Sequence, residues 1–451
     1  MLSDRNKILL ESIRRLLRRG ATSHLKKMVN KTHAADLTVV FRSLSVPNQR
    51  TLFHMIEDTE KKGMLFSEMD EDAFMCLIDG IELDSIVHIL EHMPSDDVAD
   101  IIGRLPDEKS DAILKRMEKE GSEEVEDLLR YDDDTAGGIM VPDFIAFRED
   151  ITAKKAIESL QKEHMNAEMP FYLYVVDEYG KLVGVCSLRQ LVVVPSETPL
   201  KEFMSADIFS VRTDTDQEEV AKMVARYDIL AVPVVDETNR LVGIITVDDV
   251  IDIIREEATE DILRMAGVGG EEFIETKSVL KNTKIRLPWL LASCAGGILA
   301  SFIIGIYQGS LARITCLAAF IPVIMGMGGN IGIQSSTIVV RGLATGRLHV
   351  RDIWSVVMKE LLIGLFLGVI YGILIGFVAQ FRHQGYILGV SVGLAVLCSM
   401  SVAALAGSLV PMIFVRLNID PAVATGPFVT TAIDIISVFF YFEIATLLLG
   451  I

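Results

Sequence analysis

Five long apolar stretches follow Arg286, and they restrict the architecture of this chain more than any other feature of its sequence. Each stretch approaches or exceeds the roughly 20 residues that a helix needs to cross the hydrocarbon core of a bilayer. The second part of the chain is therefore predicted to be an all-α, polytopic membrane domain in a lipid bilayer. The expected transmembrane helices lie at residues 288–307, 314–340, 360–380, 386–415 and 422–449.

The basic residues around these spans predict an orientation. They are concentrated before the first span, between the second and third, and between the fourth and fifth, whereas the opposite loops contain only Arg313 and Arg382. The positive-inside rule then places the N-terminus in the cytosol and the C-terminus outside, in the cytoplasmic membrane. The residues on the predicted cytosolic side are Lys277, Lys281, Lys284, Arg286, Arg341, Arg347, Arg351 and Arg416.

Acidic residues dominate the part of the chain that precedes the spans. The formal net charge is −19, yet from Leu287 onward there are only five acids against seven Lys or Arg residues. A strongly acidic soluble part argues against nucleic acid as a partner and permits metal cations, while solubility is the default role for most of these acids. The N-terminal sequence lacks the apolar core of a signal peptide, which also indicates a cytosolic location. Neither a P-loop nor a nucleophile elbow is present, so we do not expect an enzyme.

The second span contains an unusual polar and glycine-rich sequence, GMGGNIGIQSST, at Gly326–Thr337. Its glycines allow either close approach between helices or a break in the helix. Irregular backbone at membrane depth is tolerated only inside protein or beside water. We expect a broken helix beside an aqueous cavity, with Gly329 and Asn330 among the ion-binding residues.

The last span carries a polar stripe. Pro421, Gly426 and Pro427 interrupt its entry, and polar residues then recur at i, i+4, i+7 and i+11, which places them on one helical face. A carboxylate in this environment is costly unless a cation or water meets it. The stripe favours a pore lining, although a protonated Asp434 bonded to a neighbouring span is an alternative. Its members are Thr430, Asp434, Ser437 and Tyr441.

Residues 140–257 contain an internal duplication. The sequence VVDEYGKLVGVCSLRQLV, at Val175–Val192, returns 59 residues later as VVDETNRLVGIITVDDVI. Each copy has the pattern strand–helix–strand–turn–strand–helix. The duplication resembles the CBS-domain pair, which often binds adenine nucleotides. The resemblance implies an acid that binds ribose. Asp249 supplies it in the second copy, whereas Gln190 replaces it in the first. Tyr172 and Arg189 would contact an adenine and a phosphate.

The helical periodicity before the duplication completes the predicted domain organisation. HMPSDDVADIIGRL and RLPDEKSDAILKRM both have Pro at the start of a helix and acids in its first turn. The fold class is a multidomain protein with an all-α superhelical N-terminal domain, an α/β CBS pair and the membrane domain. The boundaries are 1–130 for the helical domain, 131–139 for a linker, 140–200 and 201–257 for the CBS copies, 258–285 for a connecting helix and 286–451 for the membrane domain.

The whole chain resembles the MgtE family of magnesium channels. The matching motifs are DTAGG, VDDVIDIIREEATEDI, GGNIGIQSS and DPAVATGPFVTTAID. The resemblance implies a homodimer with a pore on its two-fold axis, in which Asp434 holds hydrated Mg²⁺. It also implies that cytosolic Mg²⁺ closes the pore by binding to acids at Asp96, Asp100, Asp228, Asp249, Asp252, Glu257, Glu260, Asp261 and Asp420.

Two other functions remain open on the sequence alone. A secondary transporter could couple Mg²⁺, Mn²⁺ or Co²⁺ to protons or Na⁺, because an intramembrane carboxylate can also carry a proton. A non-conducting nucleotide sensor could use the spans only as an anchor, but an inert anchor needs no polar stripe. The sequence leaves open the binding of ATP and the choice among these divalent ions.

Overall fold

The computed structural model describes residues 4–69, 71–163, 171–268, 279–383 and 386–450 of the 451-residue chain. The chain divides into two compact units, Met1–Ile254 and Arg255–Ile451. The first contains the N-terminal helices and the duplicated region, and the second contains the apolar spans.

Short helices build the beginning of the first unit. Pro94 and Pro106 are the N-cap residues of two of them, as expected, because proline has no N–H and a helix start leaves its N–H groups without partners. The helices are α1 Asp4–Arg19, α2 Thr22–Lys31, α3 Ala34–Arg42, α4 Val46–Phe53, α5 Thr59–Ser67, α6 Glu71–Ile78, α7 Leu83–Leu90, α8 Ser95–Gly103, α9 Asp107–Leu114 and α10 Lys119–Leu128.

The duplicated region forms two small three-stranded sheets. In each sheet the first strand pairs in parallel with the second, which pairs antiparallel with the third. The elements of the first copy are β1 Ala146–Arg148, α11 Ala153–Glu163, β2 Tyr172–Val176, β3 Leu182–Ser187 and α12 Leu188–Val193. Those of the second are β4 Val211–Arg212, α13 Gln217–Tyr227, β5 Ala231–Val235, β6 Leu241–Thr246 and α14 Val247–Met265.

The two copies are structural equivalents. Tyr174 lies opposite Val185 in the first sheet, and Pro233 lies opposite Ile244 in the second, which reproduces the displacement of 59 residues in the sequence. The copies also bond to each other, because the Leu182 N–H donates to the carbonyl of Asn239 at 3.1 Å. The predicted duplication is therefore confirmed.

One hydrophobic core joins the N-terminal helices to the second CBS copy. Phe41 and Phe74 from the helices belong to the same buried cluster as Val232 and Ile245 from the sheet. The first copy has a separate core around Val175. Helix α8 packs into this core, so its acidic residues have a defined position relative to the second copy.

The second unit consists of helices. The described residues include five helices that are long and apolar enough to cross a membrane, in agreement with the predicted number of spans. The helices of this unit after α14 are α15 Val279–Ile306, α16 Gln308–Arg313, α17 Ile321–Ala344, α18 Ile353–His383, α19 Tyr386–Arg416, α20 Pro421–Thr425 and α21 Pro427–Leu449. Part of the predicted connecting helix, residues 269–278, lies outside the described residues.

Glycines bring α18 and α19 into backbone contact. A Cβ atom added to Gly372 would lie 2.6 Å from the carbonyl oxygen of Gly393, and one added to Gly376 would lie 2.6 Å from that of Gly389. Small residues commonly allow such contacts between membrane helices, where lipid provides no hydrophobic drive for association. The α18–α19 pair therefore forms a closely packed platform.

The expectation of a broken second span is wrong. Helix α17 runs without interruption from Ile321 to Ala344. Its glycines allow close packing instead, since a Cβ atom on Gly407 of α19 would overlap the carbonyl oxygen of Gly332. The predicted interruption at the entry to the last span is confirmed, because α20 ends at Thr425 and Gly426 caps α21.

Candidate functional site

Carboxylates from three segments of the first unit interact electrostatically. Asp97 and Asp100 lie on α8, Asp133 follows α10, and Asp249 lies in the first turn of α14. We call these four residues the acidic cluster. Desolvation by the surrounding protein and the negative charges of the other three members together raise the pKa of Asp100 to about 6, although Arg104 opposes this shift.

Burial raises the pKa of two further members of the acidic cluster. The desolvated Asp97 carboxylate is partly compensated by a hydrogen bond with Ser67. Desolvation also raises the pKa of Asp249, while the Thr246 hydroxyl, which donates to its Oδ2 atom, opposes this shift. Like charges brought together in this way attract a cation or a proton.

The structure joins only some of the acids that were predicted to sense a metal in the first unit. Asp100 and Asp249 interact, whereas Asp228 caps α13 in a left-handed conformation with φ of 53°. Asp97 and Asp133 were missed, although the sequences SDDVAD and DDD contain them. Their participation depends on how α8 and the linker pack, which the sequence pattern does not reveal.

Among the described residues, the acidic cluster does not bring three side chains together as direct ligands of a metal ion. Within the described ranges, no three His, Cys, Asp or Glu side chains are placed to hold a metal ion. Mg²⁺ keeps several of its water ligands and needs only one or two carboxylates. Asp100 and Asp249, which interact electrostatically, supply that number of carboxylates.

Arg264 links the end of α14 to the entry of the last span in the second unit. Its guanidinium pairs with Glu260, one turn earlier on α14, and with Oδ2 of Asp420. The other oxygen of Asp420 accepts the backbone N–H of Ala422 at 2.7 Å, which caps α20. Arg264 thus bridges Glu260 and Asp420, two acids that were predicted to bind metal. The sequence did not reveal this partner.

The end of α14 also lies against the interruption between α20 and α21. A Cβ atom added to Gly426 would lie 3.5 Å from the carbonyl oxygens of both Arg264 and Met265. Glu257 and Asp261, the other predicted acids of this segment, are half-buried on the same helix. Contacts at Asp420 and Gly426 together connect the position of α14 to the start of α21.

Asp434 lies beside the glycines of α17. A Cβ atom on Gly329 would lie 3.9 Å from Oδ1 of Asp434, which places these two predicted ion-binding residues next to each other. Asp434 is half-buried and the adjacent Asn330 is exposed on the single chain. Thr430, one turn before Asp434, is also half-buried, and its hydroxyl donates to the carbonyl of Gly426 at 3.2 Å.

The remainder of the polar stripe points into the helix packing. Ser437 is buried, and its hydroxyl lies 2.7 Å from that of Ser399 on α19. Tyr441 is also buried and donates to the carbonyl of Leu317 at 2.8 Å. Both hydroxyls have partners within the chain. Asp434 and Thr430 are therefore the members of the polar stripe that reach the surface of the single chain.

In the first CBS copy, Gln190 completes a capping box at the start of α12, whose N-cap residue is Ser187. Its Oε1 atom accepts hydrogen bonds from the backbone N–H and the hydroxyl of Ser187, at 2.8 and 2.9 Å. Tyr172 is half-buried on β2 and Arg189 is exposed on α12. The amide of Gln190 is therefore engaged with its own helix terminus, as the Asp249 carboxylate is with Thr246 in the second copy.

Family models match three regions of the chain. A model described as a divalent cation transporter matches residues 321–444, and one described as the MgtE intracellular N domain matches residues 32–134. The CBS-domain model matches twice, at residues 136–197 and 200–256. Together with the five apolar helices, these matches define a multi-pass cation transporter with an N-terminal helical domain and a CBS pair.

Curated relatives identify the family. The magnesium transporter MgtE of Thermus thermophilus is 39% identical over 327 residues, which cover 72% of each chain. The protein of the same name from Enterococcus faecalis is 39% identical over 324 residues, covering 72% of this chain and 71% of the relative. The chain belongs to the MgtE family.

Solved structures support the fold of the part that precedes the spans. The cytosolic domain of the Mg²⁺ channel MgtE in complex with ATP is 35% identical, with a TM-score of 0.52, and the match covers 54% of this chain and 99% of that one. The soluble part of a magnesium transporter is 28% identical, with a TM-score of 0.50, over 56% of this chain and 99% of that one.

Neutralising Asp100 should change how the protein responds to pH. The pKa of Asp100 is raised in the folded state, so its contribution to stability is present below a pH of about 4 and is lost as the pH rises to about 6. We expect Asp100→Asn to stabilise the metal-free protein at pH 7.5 by about 1 kcal/mol, less than the full shift implies because the side chain retains access to solvent.

Thermal unfolding of the purified full chain, with and without Mg²⁺ at pH 5 and pH 7.5, checks this prediction. Mg²⁺ should stabilise the native protein more at pH 7.5, where protons do not compete for the cluster, and the pH difference should shrink in Asp100→Asn. Asp107→Asn, which removes an exposed acid from the neighbouring helix α9, is the control. Equal stabilisation of the native protein by Mg²⁺ at both pH values would contradict Mg²⁺ binding at the acidic cluster.

Proposed function

We propose that this protein is a Mg²⁺-selective channel that takes up magnesium across the cytoplasmic membrane. It acts as a homodimer, with the pore between two copies and the N-terminus in the cytosol. The observation that carries the proposal is the position of Asp434 beside a polar, exposed face of α17. The membership of the chain in a family of magnesium transporters supports the choice of ion.

The exposed face of α17 carries three polar side chains between the exposed Ile333 and Ile338. Asn330, Gln334 and Thr337 share this face and are exposed on the single chain, although they belong to a helix that is apolar enough to span a bilayer. Polar side chains in contact with lipid are costly, so such a face is covered by water or by protein. A second copy placed against this face would enclose a polar path and contribute a second Asp434.

Mg²⁺ fits this path chemically. The ion loses its water ligands reluctantly and is bound by one or two carboxylates. Two Asp434 side chains, one from each copy, supply that number, and the amides of Asn330 and Gln334 can bond to the water ligands. A proton- or Na⁺-coupled carrier for Mg²⁺, Mn²⁺ or Co²⁺ would use the same acid but would also need a driving ion.

Gating by cytosolic Mg²⁺ follows from the acids of the soluble part and of α14. Without a cation, the carboxylates of the acidic cluster repel one another. Mg²⁺ bound between them would relieve that repulsion. The predicted sensing acids are Asp96, Asp100, Asp228, Asp249, Asp252, Glu257, Glu260 and Asp261, with Asp420 at the inner end of the last span. Mg²⁺ bound to them favours the closed state because it binds that state better.

We also propose that the first CBS copy binds ATP weakly. Tyr172 and Arg189 would contact the base and a phosphate. Gln190 carries no negative charge, and its side-chain oxygen already accepts two hydrogen bonds from Ser187. It therefore offers little to a ribose hydroxyl.

Removing the carboxylate of Asp434 should abolish Mg²⁺ transport. We expect Asp434→Ala to fold and dimerise but to take up no Mg²⁺, and Asp434→Asn to fail largely, because it preserves size but loses charge. Uptake into liposomes that contain the purified protein and a Mg²⁺-sensitive dye measures this effect. Thr446→Ala is the control, since this hydroxyl lies on the same helix but bonds to the carbonyl of Phe442. Normal uptake by Asp434→Ala would refute the proposed pore.

Neutralising the sensing acids should keep the channel open. The triple variant Asp249→Asn, Asp252→Asn, Glu260→Gln should conduct at cytosolic Mg²⁺ concentrations that close the native channel. A second triple variant, Asp107→Asn, Glu108→Gln, Glu120→Gln, removes the same charge from exposed positions and should close normally. Currents from inside-out patches at stepped Mg²⁺ concentrations measure both. If the two triple variants close alike, the acids at 249, 252 and 260 are not the sensor.

A further inference from the structure

Glu360 is a buried acid that the proposed pore and sensor do not use. It lies near the beginning of α18, within a helix long and apolar enough to cross a membrane, and is only 5% exposed. In the part of the chain that the structure describes, no other Asp, Glu, Lys, Arg or His side chain is buried to this extent. A carboxyl group in this setting is costly unless it is hydrogen-bonded, and such residues usually have a function.

Ser335 of α17 provides the hydrogen bond. Its hydroxyl donates to Oε2 of Glu360 at 2.8 Å, and Ser335 itself is only 1% exposed. Because water is excluded from both partners, the bond is strong and its loss would leave a polar group unsatisfied. The bond therefore connects the pore helix α17 directly to α18.

The platform under Glu360 is closely packed. Gly364, one turn further along α18, packs so closely on α19 that an added Cβ atom would lie 2.9 Å from the carbonyl oxygen of Met400. Gly372 and Gly376 continue this contact along the same pair of helices. A hydrogen bond from this platform can consequently hold another helix in place.

The other contacts of α17 are apolar packing, by buried side chains such as Ile324 and Ile331, and close approach at glycines. Gly328 and Gly332 face α19 and α21 and allow close approach, but glycine has no side chain to fix an angle about the helix axis. A hydrogen bond is directional. Ser335 lies on the buried side of α17, whereas Asn330 and Gln334 lie on its exposed side, so holding Ser335 in place turns these two amides outward.

We propose that Glu360 is a positioning residue for ion transport. Through Ser335 it fixes the rotation of α17 that directs Asn330 and Gln334 toward the ion path beside Asp434. This inference rests on the proposed function, because the path is the pore proposed above. Glu360 acts by hydrogen bonding and does not need to carry a charge or to touch the ion.

Three substitutions test the positioning role. Glu360→Gln preserves the side-chain length and an oxygen acceptor for Ser335, so transport should remain close to that of the native protein. Glu360→Leu and Ser335→Ala remove the bond and should each raise the half-saturating Mg²⁺ concentration about tenfold, which corresponds to about 1.4 kcal/mol for one buried hydrogen bond. Ser408→Ala is the control, because this buried serine bonds only within α19, to the carbonyls of Ala404 and Leu405.

Helix rotation can be measured independently of transport. Asn330→Cys and Ser336→Cys, one on the exposed and one on the buried side of α17, are labelled with a thiol reagent in the full-length protein. Peptide mass spectrometry counts each site apart from the native cysteines. Adding Glu360→Leu should increase labelling at position 336 and decrease it at position 330, whereas adding Glu360→Gln should leave both unchanged.

The outcomes separate this inference from the proposed function. If Glu360→Gln fails as Glu360→Leu does, with labelling unchanged, the charge itself is required and the positioning role is refuted. Native half-saturation and labelling in Glu360→Leu would also refute it. If Glu360→Leu does not fold, Ser335→Ala provides the same comparison. Absence of Mg²⁺ transport by the native protein would contradict the pore instead, and the labelling would still test Glu360.

Discussion

Polar groups inside a bilayer are tolerated only where protein or water meets them, and this constraint divides the polar side chains of the second unit into two sets. Ser437, Tyr441 and Glu360 belong to the first set, since each has a hydrogen-bond partner on another part of the chain. Asn330 and Gln334 belong to the second, since they lie on the exposed face of α17. The first set holds the helices together, and in the proposed pore the second set would face the ion path.

Buried or crowded charges also connect transport with its regulation. In the first unit, desolvation and like charges raise the pKa of Asp100 and Asp249, so a cation bound there would stabilise the assembled state. In the second unit, Arg264 pairs with Glu260 and Asp420, and the end of α14 lies against Gly426 at the start of α21. In the proposed mechanism, the occupancy of these acids determines where α14 lies and hence the state of α21.

Sequence reasoning predicts the features that depend on composition and local pattern. The lengths of the apolar stretches predict five spans, and the repeat at 59 residues predicts the two equivalent sheets. The prolines at positions 94 and 106 predict helix starts, because the effect of the missing N–H is confined to the helix terminus itself.

Features that depend on distant partners were not predicted. The glycines of α17 allowed either a break or close packing, and the choice depends on Gly407 in another helix. The pairing of Arg264 with Asp420 joins residues 156 positions apart. The inward direction of Ser437 depends likewise on Ser399 of α19, and the spacing along α21 alone could not distinguish it from a pore-lining residue.

The most direct test of the central claim is the reversal potential of the purified native protein in a planar bilayer. A pore selective for Mg²⁺ predicts a reversal potential of about 30 mV for a tenfold Mg²⁺ gradient, as for any divalent ion at equilibrium. The value should not change when a pH or Na⁺ gradient is added. A reversal potential that shifts with either gradient would contradict a pore selective for Mg²⁺.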